Sequence, residues 1–195
     1  MRFPLNKSWR TTTQSESFKK IDLAVETEIP LGNAHPGAFG VERRHHTHEG
    51  VDLYAQQGDA VFSMEAGVIV TIEPFTGPAA GFPWWLDTEC VMVEGISGVL
   101  CYGELKANSN LRVGQYIQEG TLIGALATVL MSDKGRHRNM LNLEYYEKGA
   151  KASCGVWPKD TPRPSGLLDP TPLLLETASN FTQNGCNNAY LKDEG

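Results

Sequence analysis

The stretch Cys90-Val-Met-Val-Glu-Gly-Ile-Ser-Gly-Val-Leu-Cys-Tyr102 decides how the chain is read. Two runs of β-forming residues flank Gly95-Ile-Ser-Gly98, and a short turn between glycines is a hairpin signal. With the two-residue turn at Ile96-Ser97, Cys101 faces Met92, so no direct disulfide between Cys90 and Cys101 is predicted. The same punctuation extends outward on both sides. Val51–Tyr54, Ala60–Met64, Gly67–Ile72, Tyr116–Ile117, Leu122–Leu130 and Met140–Tyr146 are short, rich in β-branched or aromatic residues, and bounded by Gly or Pro. No window sustains a helical period, and 20 Gly and 11 Pro interrupt the chain at short intervals. The reading is a mainly β, antiparallel domain with few or no long helices.

The 195 residues suffice for one ordinary core, and 41% hydrophobic with 21% charged residues is a globular composition rather than a disordered one. The core is expected over 29–175, with a polar N-terminal arm over 1–28 and a polar C-terminal tail over 176–195. A net charge of −6 lacks the basic surface that phosphate binding uses, which disfavours nucleic acid as a partner. No run approaches the ~20 apolar residues of a membrane helix, so no membrane insertion is expected. Met1 to Lys20 holds no apolar run of the kind a secretory signal needs; the expectation is synthesis in a cytoplasm, with release by lysis or in a particle. None of Cys90, Cys101, Cys154 and Cys186 forms a C-x-x-C pair, and reduced structural thiols are expected.

Two segments share a pattern of glycine turn, short strand, glycine turn, apolar strand: Gly58 to Val70 and Gly114 to Gly124. Biotinyl and lipoyl carriers use similar hairpins, but their tip lysine is missing here, where Ser63-Met-Glu65 stands. Between Pro74 and Asp87 a Gly/Pro loop carries Phe75, Phe82, Trp84 and Trp85. Aromatics concentrated on a loop either wall a cleft or fold back onto the core; Trp84 and Trp85 are candidate contacts of a groove or a partner.

The densest chemical signal is Arg43-Arg-His-His-Thr-His-Glu-Gly-Val-Asp52. Side chains at i and i+2 of an extended segment share a face, so His46 and His48 could point together, with Asp52 turned back toward them through Glu49-Gly50. Imidazole and carboxylate are zinc ligands, and three histidines in four residues form a metal candidate, against the plainer reading of a solvated polar loop. No nucleophile elbow, Walker loop or dinucleotide-binding glycine run competes.

Read in order, His48-Glu-Gly-Val-Asp52, the two glycine-hairpin segments, Tyr102-Gly-Glu-Leu105, Met140-Leu-Asn-Leu-Glu144 and Leu168-Asp-Pro-Thr-Pro-Leu resemble the lysostaphin-like zinc metallopeptidases, which cleave peptide cross-links of bacterial cell walls. The resemblance covers roughly residues 40–150. It implies an antiparallel β fold with a groove over the sheet, with Tyr102 among the residues at that groove.

It further implies that His48 and Asp52 match the first two zinc ligands, and that Asn142 stands where the third, a histidine, belongs. Met140 takes the place of a catalytic histidine, and Glu104 that of the histidine in Tyr-x-His-Leu. An amide is a poor zinc ligand and a thioether accepts no proton. Glu104 is then the candidate base, with His46 and His137 as substitute ligands or bases. The Arg43-Arg44 and Lys134–Arg138 islands read as solvated charge. Two functions follow. The first is a divergent, catalytically silent module that binds peptidoglycan or a protein partner, as a bacteriophage virion component would. The second is a remodelled zinc endopeptidase acting on peptidoglycan cross-links.

Overall fold

The structure is a computed structural model that describes residues 1–15, 17–132 and 139–177. His137, the basic island around it, Cys186 and the tail beyond 177 lie outside the described residues. Among the described residues there are eleven strands: β1 (Ser8–Thr12), β2 (Glu26–Pro30), β3 (Val51–Tyr54), β4 (Ala60–Phe62), β5 (Gly67–Thr76), β6 (Thr88–Gly95), β7 (Val99–Ala107), β8 (Tyr116–Ile117), β9 (Leu122–Leu126), β10 (Met140–Tyr146) and β11 (Leu167–Leu168). Residues 171–177 form one short helix.

Nine strands make one antiparallel sheet in the order β11-β10-β7-β6-β5-β8, with β3 also paired to β10, β9 to β7 and β4 to β9. The β6–β7 hairpin closes with the Gly95 N–H donating to the Gly98 carbonyl at 2.8 Å, and Met92 stands opposite Cys101. Cys90, Cys101 and Cys154 are free thiols. The two glycine-hairpin segments exchange strands, β4 with β9 and β5 with β8, each entered through a left-handed glycine, Gly58 (φ 86°) and Gly114 (φ 85°).

Alternation along β7 and β10 separates two faces. Leu100, Tyr102, Leu141 and Leu143 enter the main core with Val51, Leu53, Val91 and Val93. Cys101 and Tyr146 face the other way, over a smaller cluster with Cys90, Met92, Val99 and Leu167.

The N-terminal segment, expected as an arm, is tied into the body. Phe3 and Leu5 are buried in the main core, and β1 pairs in parallel with β2. The reason is the apolar alternation of Phe3 and Leu5 inside a polar stretch, which together with the β1–β2 bonds offsets the cost of ordering it. At the other end the helix runs past the expected boundary at 175, with Leu174 and Thr177 buried. Leu122–Leu130 is shorter than expected as a strand; Leu130 instead bridges to Trp85 of the aromatic loop.

Candidate functional site

Antiparallel pairing brings the residues of the two main motifs together. Asp52 on β3 lies directly opposite Asn142 on β10, which lies opposite Gly103 on β7. His48 precedes β3 on a loop fixed by its own backbone: its N–H donates to the Val41 carbonyl and its carbonyl accepts from Gly40. Between His48 and Asp52 the chain presses on β10, and a Cβ at Gly50 would stand 2.6 Å from the Leu143 carbonyl oxygen. Only glycine fits that crossing.

His48, Asp52 and Asn142 are all buried, at 1, 2 and 7% exposure. His48 Nδ1–H donates to the Ala38 carbonyl at 3.0 Å, which leaves Nε2 as the bare nitrogen, 3.1 Å from Asp52 Oδ1. The Asn142 amide nitrogen donates to both of those acceptors, at 3.0 Å each. Its two hydrogens separate two lone pairs that would otherwise repel. Asn142 Oδ1 has no hydrogen-bond partner among the described residues.

A fourth member joins them. The Arg43 guanidinium donates to Asp52 Oδ2 and is steadied by the Pro36 carbonyl, at 3.0 Å from Nε and 2.7 Å from Nη2. Burial alone would raise Asp52, but the charged Arg43 hydrogen-bonded to it opposes this, and the carboxyl is held below its usual range. Burial and the nearby Arg43 charge push His48 down, so the ring is neutral. Arg43, expected to be solvated charge, is therefore an internal partner of Asp52. Nothing in its local sequence distinguishes it from the exposed Arg44 beside it.

Glu104 occupies a break in β7, which pairs with β10 up to Gly103 and with β9 from Leu105. Its φ of 63° is left-handed, and its Oε2 has no hydrogen-bond partner among the described residues. Burial, then the Asp52 charge, raise this carboxyl well above its usual range. The same break explains a correction. Tyr102, expected at the groove, lies in the core with no exposure, its hydroxyl accepting the Met64 N–H at 2.8 Å. The left-handed residue at 104 shifts the alternation, so Tyr102 and Glu104, two apart, face opposite sides. Met140 packs beside Leu23 and Tyr54.

Among the described residues the donor set falls short of a zinc site. Zinc sites use thiolate, imidazole and carboxylate, and no three His, Cys, Asp or Glu among the described residues come together to hold a metal. Neither His46 nor Glu104 completes the His48–Asp52 pair. The position facing both ligand atoms is filled by N–H donors of Asn142.

Beside this cluster runs a groove of about 800 Å³. His46 lines it, its Nε2 3.8 Å from Glu49 Oε2; burial and Arg43 lower that ring to about 4, and burial lifts Glu49 to about 7. Acidic and phenolic groups hold the segment 151–157 over one side. Glu49 accepts the Trp157 N–H, and Glu73 accepts that of Ser153 at 3.5 Å. Tyr146 donates to Glu144 at 2.6 Å while its oxygen accepts the Cys154 N–H at 2.9 Å. Another part of the lining is aromatic. Phe82, Trp84 and Trp85 stand with ring centroids 5.5–6.0 Å apart, and Trp84 is 62% exposed. Phe75 lies on the floor, its ring against Gly103 where a Cβ would meet it at 2.4 Å.

No family model and no curated protein matches the chain. Solved structures give looser likenesses. The catalytic domain of the antimicrobial peptidase lysostaphin from Staphylococcus simulans aligns over 71% of this chain and 89% of its own, at 19% identity and TM-score 0.49. CbpA from L. salivarius REN aligns over 78% and 91%, at 20% identity and TM-score 0.47. Helicobacter pylori Csd3 aligns over 87% of this chain and 44% of its own, at 21% identity and TM-score 0.42. At these identities and scores the likeness assigns neither family nor activity, and the functional reading stands on the residues of the chain itself.

Proposed function

We propose that the chain is a binding module on a lysostaphin-like scaffold, whose groove holds a peptide strand of peptidoglycan or of a protein partner without cutting it. The observation that carries this reading is the Asn142 amide, which donates to His48 Nε2 and Asp52 Oδ1 together. A hydrolytic zinc centre needs three protein ligands and an open position for water. Here two ligand atoms are engaged by hydrogen bonds, and Asp52 has Arg43 as its counter-charge. Met140 offers no proton acceptor. What the residues do instead is hold β3, the 40–50 loop and β10 in register beneath the groove. The aromatic lip and the 151–157 segment supply its walls.

The test is co-sedimentation of the purified protein with insoluble peptidoglycan, with free amino groups measured in the supernatant. The reading expects retention on the wall material and no new amines above a protein-free control. Release of amines would establish a remodelled endopeptidase instead. Absence of retention would leave a protein partner as the ligand.

A further inference from the structure

We propose that the groove selects a peptide that carries a free primary ammonium group. This rests on the reading of the groove as a peptide site and names what that site recognises. Two features of the lining point to a cation. The first is a carboxyl cluster: Glu49, Glu73, Glu104 and Glu144 all line the groove, and Glu104 Oε2, buried with no hydrogen-bond partner among the described residues, is the acceptor left open to a donor. Among the described residues of the lining Arg43 is the one arginine, and it is committed to Asp52 and the Pro36 carbonyl.

The second feature is aromatic. Phe75 lies between carboxyl-bearing residues: Glu73 is two residues before it on β5, and Gly103, on which its ring packs, precedes Glu104. The faces of Phe, Tyr and Trp attract ammonium groups, and carboxyl groups beside a ring strengthen that preference. On the lip, Trp84 presents further aromatic surface to solvent. A neutral strand keeps the apolar contacts of this lining but forgoes the contact to the carboxyl groups. An anionic one would meet these carboxyl groups with no uncommitted arginine among the described residues of the lining.

An apolar stem ending in an ammonium matches the lining in order: stem against Phe75 and the tryptophans, head toward Glu73 and Glu104. Burial, then the Asp52 charge, hold Glu104 high against the opposing pull of Arg43, and an ammonium beside it favours the ionised form.

The experiment is calorimetric titration of the full chain with an N-acetylated Ala-Lys-Ala amide and with the same peptide acetylated on Nε of lysine. The expected result is at least about tenfold tighter binding of the free amine, the scale of one charge-assisted contact. Glu104→Gln and, separately, Glu73→Gln should erase most of that ratio, with thermal melts confirming that both variants fold. Equal binding of the two peptides would overturn the ammonium proposal and leave the peptide groove standing. Binding of neither would overturn both.

Discussion

The side-chain amide of Asn142 lies 3.0 Å from His48 Nε2 and donates to it, engaging the imidazole nitrogen that a metal would use. The same amide also serves Asp52. Deleting it strands two buried acceptors facing each other at 3.1 Å. Asn142→Ala is therefore expected to destabilise the protein by about 1–3 kcal/mol, the cost of unsatisfied buried polar groups. Urea unfolding measures it. A loss near zero would mean that the amide contributes nothing to the cluster.

Glu104 holds a left-handed conformation, φ 63°, that side chains other than glycine adopt at a cost. Glu104→Gly removes the strain and a carboxyl oxygen without a partner. The variant should gain roughly 1 kcal/mol in urea unfolding while losing affinity for the lysine peptide. A less stable variant would show that the side chain holds the β7 break in place.

These two residues also mark what the sequence could and could not convey. The β6–β7 hairpin was legible to the residue, Met92 opposite Cys101, because turn chemistry and alternation are local. The juxtaposition of His48, Asp52 and Asn142 was legible because their motifs fall in a recognisable order. Tyr102 was not, since the resemblance placed it at the groove with Glu104, whereas alternation from Leu100 puts it in the core and the left-handed residue at 104 turns Glu104 to the other side. Arg43 was not either: whether an arginine in a basic run meets solvent or a buried aspartate is settled by β3 and its preceding loop, ten residues on. The pairing of β1 with β2 depended on Phe3 and Leu5 finding the core, which two apolar residues in a polar stretch do not announce.

Glu49 gives a pH signature. Burial raises it to about 7 from an ordinary 4.5, so the folded state favours the protonated acid. Its stabilisation is complete below pH 4.5 and is lost as pH rises through 7. Glu49→Gln stays neutral, and its stability relative to the unmodified protein should grow by about 2–3 kcal/mol between pH 4.5 and 7.5, then level off. His46, lowered to about 4, drives the opposite trend from pH 4 to 6.5; it lies 3.8 Å from Glu49, so the comparison is read above pH 6.5, where the ring is neutral in both proteins. Thermal melts across this range check the prediction. A constant difference would contradict the raised Glu49.

Trp84 and Trp85 separate on exposure. Trp84 is 62% exposed, whereas Trp85 is half-buried and bridges to Leu130. Trp84→Ala should change stability by less than about 0.5 kcal/mol and weaken peptide or wall binding several-fold. Trp85→Ala should reduce both. Comparing melting temperatures with binding isotherms distinguishes them, and a large drop in melting temperature for Trp84→Ala would place that ring in the core instead of on the lip.

The central claim is that an amide stands where a third zinc ligand would be, and zinc content tests it most directly. The protein is purified with zinc present, dialysed, and measured by elemental analysis beside Asn142→His. The account predicts no retained zinc in the unmodified chain and about one per chain in the variant, where imidazole joins His48 and Asp52 and Arg43 remains on the outer carboxylate oxygen. About one zinc per unmodified chain would contradict it.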